Sequence, residues 1–241
     1  MGEKIPGVLQ HRGAPGLGDV GDEMKPRLTY FNFRGRAEAI RLILEEAGID
    51  YEERLVDPAE WNELKPRMPF GQIPLYEEGD LTIPQSHAIC RHLARLHGLY
   101  GRTENERTQC DVAIDAIRDA QLLLWSILTR DRWQDRRAEI ERAEIVPSLA
   151  ALQRWFLRNG SSAEYWAGES LTFADLVAFV YLDQVRAFFP GALASTPRLS
   201  DFRLGVAARP RIAAYLNSPR RSRGIGYVPN RGVIMDPVFE E

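Results

Sequence analysis

Lysine is nearly missing from this chain. Of 31 basic residues only Lys4, Lys25 and Lys65 are lysines. An excess of one charge is missing too: 34 acidic residues leave a formal net charge of -3. Nothing there would draw nucleic acid or an anionic membrane surface. Cysteine is limited to Cys90 and Cys110, which excludes a disulfide framework or a cysteine-built metal centre. Both fall in helical patterns and are expected as reduced, buried thiols. No apolar run approaches the ~18 residues of a membrane span; the longest, Leu176–Leu182, suits a buried helix. No secretory apolar segment stands at the N-terminus, so the expected compartment is the cytosol. What is there, 44% hydrophobic and 27% charged over 241 residues, suits a folded protein of one large or two small domains.

The two ends read differently from the middle. Residues 1–23 hold six Gly and two Pro with no hydrophobic period, so 1–26 is expected as an N-terminal extension. The C-terminal tail, 220–241, combines basic residues, Gly and Pro, and is expected as loop laid on the surface.

Between them, Leu28–Phe33 predicts a strand rich in aromatics. Arg36–Ala47 carries the helical period, and Gly48 closes it as a cap. Tyr51–Val56 predicts a second strand, parallel to the first because a helix intervenes. Pro58–Arg67 reads as polar loop or short helix. Ile73–Tyr76 and Leu81–Ile83 flank a Gly-containing turn, a hairpin signal, and a helix runs from Gln85–Ser86 to about His97. The order β-α-β then β-β-α is the thioredoxin-like plan, placed at 27–104. Over 105–219 strand signals vanish. Helical periods cover Thr108–Thr129, Gln134–Leu157, Phe173–Phe188 and Pro197–Leu216, predicting an all-helical second domain.

A thioredoxin-like disulfide exchanger needs Cys-x-x-Cys where the first strand ends. None is present; the hydroxyls near that strand are Thr29 and Tyr30. Protein-thiol redox chemistry is thereby excluded, and a hydroxyl is left as the donor. Trp61 and Lys65 lie one helical turn apart. Ser86 falls at a helix N-terminus, where free N–H groups favour an anion. Thr172-Phe173-Ala174-Asp175 reads as a capping box with a folding role.

Leu28-Thr29-Tyr30-Phe31-Asn32-Phe33-Arg34-Gly35-Arg36-Ala37-Glu38, Pro69-Phe70-Gly71-Gln72-Ile73-Pro74 and Gln85-Ser86-His87-Ala88-Ile89 together resemble the cytosolic glutathione transferases. Within them the likeness is to the sigma class, the group of the glutathione-dependent prostaglandin D synthases and S-crystallins. It covers about 27 to 219. The resemblance implies that Tyr30 hydrogen-bonds the glutathione sulfur, the catalytic role, with Arg36 adding positive potential unless it merely pairs with Glu38. Trp61 and Lys65 would hold the glycine carboxylate. Gln72 and the backbone of Ile73, before a cis Pro74, would hold the cysteinyl unit. Gln85 and Ser86 would take the γ-glutamyl carboxylate, and Asp119 would reach across a homodimer to the γ-glutamyl amine. Phe31, Arg34, Gln121 and Trp125 would line the acceptor pocket. No metal is expected, because Arg118 stands between Asp115 and Asp119 where those relatives with a cation site need an acid. The implied activity is conjugation of glutathione to small electrophiles. The alternatives are a prostaglandin D synthase-type isomerase, or a non-catalytic glutathione-binding or S-crystallin-like protein.

Overall fold

The computed structural model describes residues 25–159, 164–228 and 232–235. The expected N-terminal extension lies almost wholly outside the described residues.

The first domain opens with β1 (Arg27–Phe31), α1 (Glu38–Ala47), β2 (Glu52–Val56) and α2 (Pro58–Leu64). It continues with β3 (Leu75–Glu78), β4 (Leu81–Pro84) and α3 (Ser86–Leu96). The strand order is β2-β1-β3-β4. β1 and β2 are parallel, as the intervening helix demands; β1 and β3, and β3 and β4, are antiparallel. Leu28 and Tyr30 face inward along β1 at 0% and 5% exposure. α1 seats Ile40, Ile43 and Leu44 with no exposed surface. Gly48 ends α1 at φ 73°, the left-handed region where a Cβ is disfavoured. This is the thioredoxin-like fold.

The second domain is helical: α4 (Glu104–Thr129), α5 (Arg137–Ile140), α6 (Val146–Phe156), α7 (Phe173–Phe188), α8 (Pro197–Ala207) and α9 (Pro210–Leu216). A π-turn, Glu141–Ile145, joins α5 to α6. Every residue of α7 but Arg186 is buried, so α7 is the axis of the domain. Asp175 anchors its start. One carboxylate oxygen accepts from the Thr172 backbone N–H at 2.6 Å, the other from Trp166 N–H at 2.8 Å. The capping box expected from the sequence is therefore present. The single helix expected over Pro197–Leu216 is two helices, because Pro210 holds Arg209 extended (ψ 133°) between them.

The larger difference is at the tail. Residues expected as surface loop form an antiparallel hairpin, β5 (Gly224–Val228) with β6 (Gly232–Met235). Ile225 is wholly buried. The tail enters through a buried charge network at the junction of the domains. Glu38 on α1 accepts from Tyr215 Oη at 3.1 Å and Arg221 Nε at 2.9 Å, with Arg41 at 3.4 Å. Asp183 on α7 takes Arg221 at 2.8 Å and Arg34, Arg203 and Arg186 at 3.3, 3.3 and 3.4 Å. Burial alone would raise the Asp183 carboxyl. The charge and hydrogen bond of Arg221, with the charges of Arg186 and Arg34, outweigh it and hold the group below the usual range.

Candidate active site

A cavity of about 310 Å³ opens where β1 ends, between the domains. From the first domain come Tyr30, Gly35, Arg36, Ser86 and His87. From α4 come Arg118, Gln121, Leu122, Trp125 and Thr129; from α7 Val177, Val180 and Gln184. Gly226 and Tyr227 close the side nearest the tail.

Tyr30 is the best-defined group in it. Its hydroxyl oxygen accepts the backbone N–H of Arg36 at 3.1 Å. Burial raises its pKa; the Arg36 N–H bond and the Arg41 and Arg36 charges oppose this without overcoming it. The phenol thus keeps its proton at neutral pH. With one acceptor site occupied by the backbone, its O–H is left to donate. Gly35 makes this approach possible: at φ 41°, a Cβ there would lie 2.5 Å from the Tyr30 hydroxyl oxygen.

Arg36 presents an exposed side chain to the same cavity. The alternative partner, Glu38, is taken by Arg41, Tyr215 and Arg221 instead. Ser86 opens α3, whose first turn carries no acid, so the free N–H groups of that turn favour an anion. Gln85 precedes it at φ 71°, a positive value uncommon for a non-glycine residue. His87 lies beside Arg91, Arg36 and Arg118. Burial first, then these cations, lower it to about 4, so it is neutral.

The other expected glutathione-binding residues lie beyond the cavity lining. The Ile73–Pro74 peptide is cis and leads into β3, which pairs with β1. Gln72 is exposed. Trp61 packs edge-on against Phe31 at 5.3 Å, and Lys65 stands exposed at the end of α2.

Three of the expected positions lie outside the lining of this cavity. Phe31 does not line the cavity; it stacks on Phe33 at 5.4 Å and holds Trp61. Arg34 is not on the acceptor wall either. It is 3% exposed, held by Asp183 and by the carbonyl of Arg223, both at 3.3 Å. An isolated guanidinium at that depth would be costly, and Asp183 supplies its counter-charge. Asp119 is exposed and lines a separate groove of about 410 Å³ between α4 and α6, with Val112, Ala116, Leu123 and Trp155. Gln121 and Trp125 do line the cavity, and Arg118, Leu122 and Thr129 join them. These five share one helical face, a spacing readable in the sequence once Trp125 is placed. His87 belongs to the Gln85–Ile89 motif, where the resemblance implies no role for it. Gly226 and Tyr227 carry no local signal. Cys90 and Cys110 are buried, and burial pushes both thiols up to about 12. Among the described residues no cluster of three or more His, Cys, Asp or Glu is assembled, and no helix is long and apolar enough to cross a membrane.

Comparison with known proteins identifies both halves of the fold. Residues 26–95 match the glutathione S-transferase N-terminal domain and 120–219 the C-terminal domain. "Glutathione S-transferase P" of Caenorhabditis elegans is 38% identical over 194 residues, 80% of this chain and 93% of that one. The hematopoietic prostaglandin D synthase of Gallus gallus is 34% identical, over 79% of this chain and 94% of that one. A Pi-class glutathione S-transferase structure from Onchocerca volvulus superposes with a TM-score of 0.74 at 29% identity, covering 80% of this chain and 92% of that one. Rat hPGDS complexed with a quinoline gives 0.71 at 33%, over 80% and 96%. Both halves of the fold, and relatives of more than 30% identity covered nearly end to end, show that this chain belongs to the glutathione S-transferase family of enzymes.

Proposed function

We propose that the chain conjugates reduced glutathione to small electrophiles, with Tyr30 stabilising the thiolate. The observation that carries this is the Tyr30 hydroxyl: protonated, hydrogen-bonded to Arg36 N–H, and facing a cavity at the domain junction. A free thiol has a pKa of ~8.5 and is mostly unreactive at neutral pH. The Tyr30 O–H would donate to the sulfur once its proton has left for solvent, and Arg36 adds positive potential. The sulfur then attacks the ring carbon of an aryl halide. A C–S bond forms, the C–halogen bond breaks, and halide departs with the electron pair.

Trp61, Lys65, Gln72, the Ile73–Pro74 backbone, Gln85 and Ser86 would hold the tripeptide outside the reacting sulfur. Gln121 and Trp125 would face the acceptor. The working form is proposed to be a cytosolic homodimer. Two features support self-association: Phe70 is 75% exposed on a backbone with φ 56°, and the apolar groove beside Asp119 offers it a seat on a second copy. Asp119 lies outside its own cavity, as a residue serving the neighbouring site would. The class stays with the sigma-like motifs, and isomerisation by the same thiolate is the second reading, favoured by the prostaglandin D synthase relatives.

The test is glutathione titration coupled to an aryl-halide assay, with Tyr30→Phe. A hydrogen bond to a charged group contributes ~1.5–3 kcal/mol, so the bound thiol's pKa should rise by one to two units, about 1.4 kcal/mol each. At neutral pH kcat/KM should fall about 10- to 100-fold and recover as pH rises. Full activity in Tyr30→Phe would refute the mechanism.

A further inference from the structure

The family match ends at residue 219, yet the chain beyond it is built into the site. Arg221, with a 9% exposed side chain, joins Glu38 of the first domain to Asp183 of the second. Ser222 Oγ donates to the carbonyl of Asn32 at 3.0 Å. The backbone N–H groups of Arg34 and Gly35 donate to the carbonyls of Gly224 and Ile225, both at 2.8 Å. The tail therefore pairs with the turn that follows Tyr30, one residue before the N–H that holds the phenol. At the next position Gly226 abuts the Trp125 ring: a Cβ there would fall 2.3 Å from the indole Cη2. Tyr227 follows, 55% exposed, on the cavity lining. A strand held by two main-chain bonds and a buried arginine is a fixed wall.

We propose that β5 is a wall of the acceptor cavity beside the Tyr30 turn, and that Tyr227, seated by the contact of Gly226 with Trp125, is a specificity-determining residue that limits the bulk of acceptor admitted. At about 310 Å³ the cavity is at the small end for ligand sites. Its walls away from the Tyr30 turn mix apolar side chains, Leu122, Trp125, Val177 and Val180, with the polar Arg118, Gln121, Thr129 and Gln184. The acceptor class that fits is a compact electrophile of about one ring that carries polar substituents. Tyr227 stands where a larger one would have to extend.

This inference rests on the transferase reading, and the experiment separates the two. The full-length protein, Tyr227→Ala, Tyr227→Phe and Gly226→Val are compared for glutathione affinity by calorimetry. Each is also compared for kcat/KM with a single-ring aryl halide and with a polycyclic arene epoxide. Pocket contacts of this size change discrimination by about 10- to 200-fold. Tyr227→Ala should raise the epoxide-to-halide ratio of kcat/KM at least to the lower end of that range, with glutathione affinity unchanged. Tyr227→Phe should keep the wild-type ratio, because the ring is the obstacle. Gly226→Val forces β5 or the indole to move and should also change the ratio. Ratios within twofold of wild type for both Tyr227→Ala and Gly226→Val overturn the inference while leaving transferase activity in place. A wild-type protein that neither binds glutathione nor turns over either acceptor overturns the reading beneath it.

Discussion

Replacing Asp183 by Asn tests the junction on which the site is built. Asp183 is the carboxylate among four guanidinium groups, and its side chain is 6% exposed. Arg34 and Arg221, at 4% and 9%, are as deep as it is. Asn preserves shape and removes the charge. Breaking a buried ion pair from one side costs ~3–5 kcal/mol, since the stranded charge keeps its desolvation penalty. Two partial rescues point to the lower end: Arg221 still has Glu38, and Arg34 still has the Arg223 carbonyl. A loss of about 3 kcal/mol at neutral pH follows, or roughly 6–12 °C in Tm for a chain of this size. Urea unfolding followed by tryptophan fluorescence gives the difference directly. The pH dependence checks the sign. The Asp183 carboxyl is depressed in the fold, so its contribution is complete above the unfolded value of ~3.9 and is lost as pH falls through the folded value. The gap between wild type and Asp183→Asn should therefore stay constant from pH 7 to about 5 and close only below about 4. A loss under ~1 kcal/mol at pH 7 would place the network in the weak regime of surface pairs and refute the reasoning.

Three other outcomes are expected. Phe70→Ala should weaken self-association by about 2 kcal/mol, roughly 30-fold in Kd by sedimentation equilibrium; an unchanged constant removes Phe70 from the interface. His87 is depressed to about 4 in the fold, so the unfolded chain takes up a proton that the native state refuses. Stability should then fall as pH drops from 6.5 toward 4, by at most ~1.4 kcal/mol per pH unit, and His87→Gln should flatten that slope. Cys90 and Cys110 should resist a disulfide reagent in the native protein and react together on unfolding, because burial holds both thiols protonated; reaction of either at the native rate of a free thiol would contradict their placement.

The parts legible in the sequence are those whose cause is local. Gly48 announces the end of α1 because a left-handed cap needs it, and Thr172 and Asp175 announce the start of α7 because each serves the other's backbone. Tyr30 and Arg36 are legible as a pair because they stand in one motif with five residues between them. Arg34 misled because its chemistry suits a carboxylate ligand as well as a carboxylate of the protein. Only the position of Asp183, 149 residues away, decides between them.

The tail was illegible for a related reason, and it carries the most consequence for the site. Its strand, Gly-Ile-Gly-Tyr-Val, has two glycines in five residues, a composition that reads as loop. One of the two has a tertiary cause. Gly226 is needed because the Trp125 ring occupies the space of a side chain. The Gly224 carbonyl meets the N–H of Arg34, a residue itself set by Asp183. Asp183 also takes the Arg221 that brings the tail in. One buried carboxylate thus sets both partners of the tail–turn contact, and that turn leads directly to the N–H on the Tyr30 phenol. Acceptor selectivity and thiol activation should consequently move together in Asp183→Asn, whereas Tyr227→Ala should move selectivity alone.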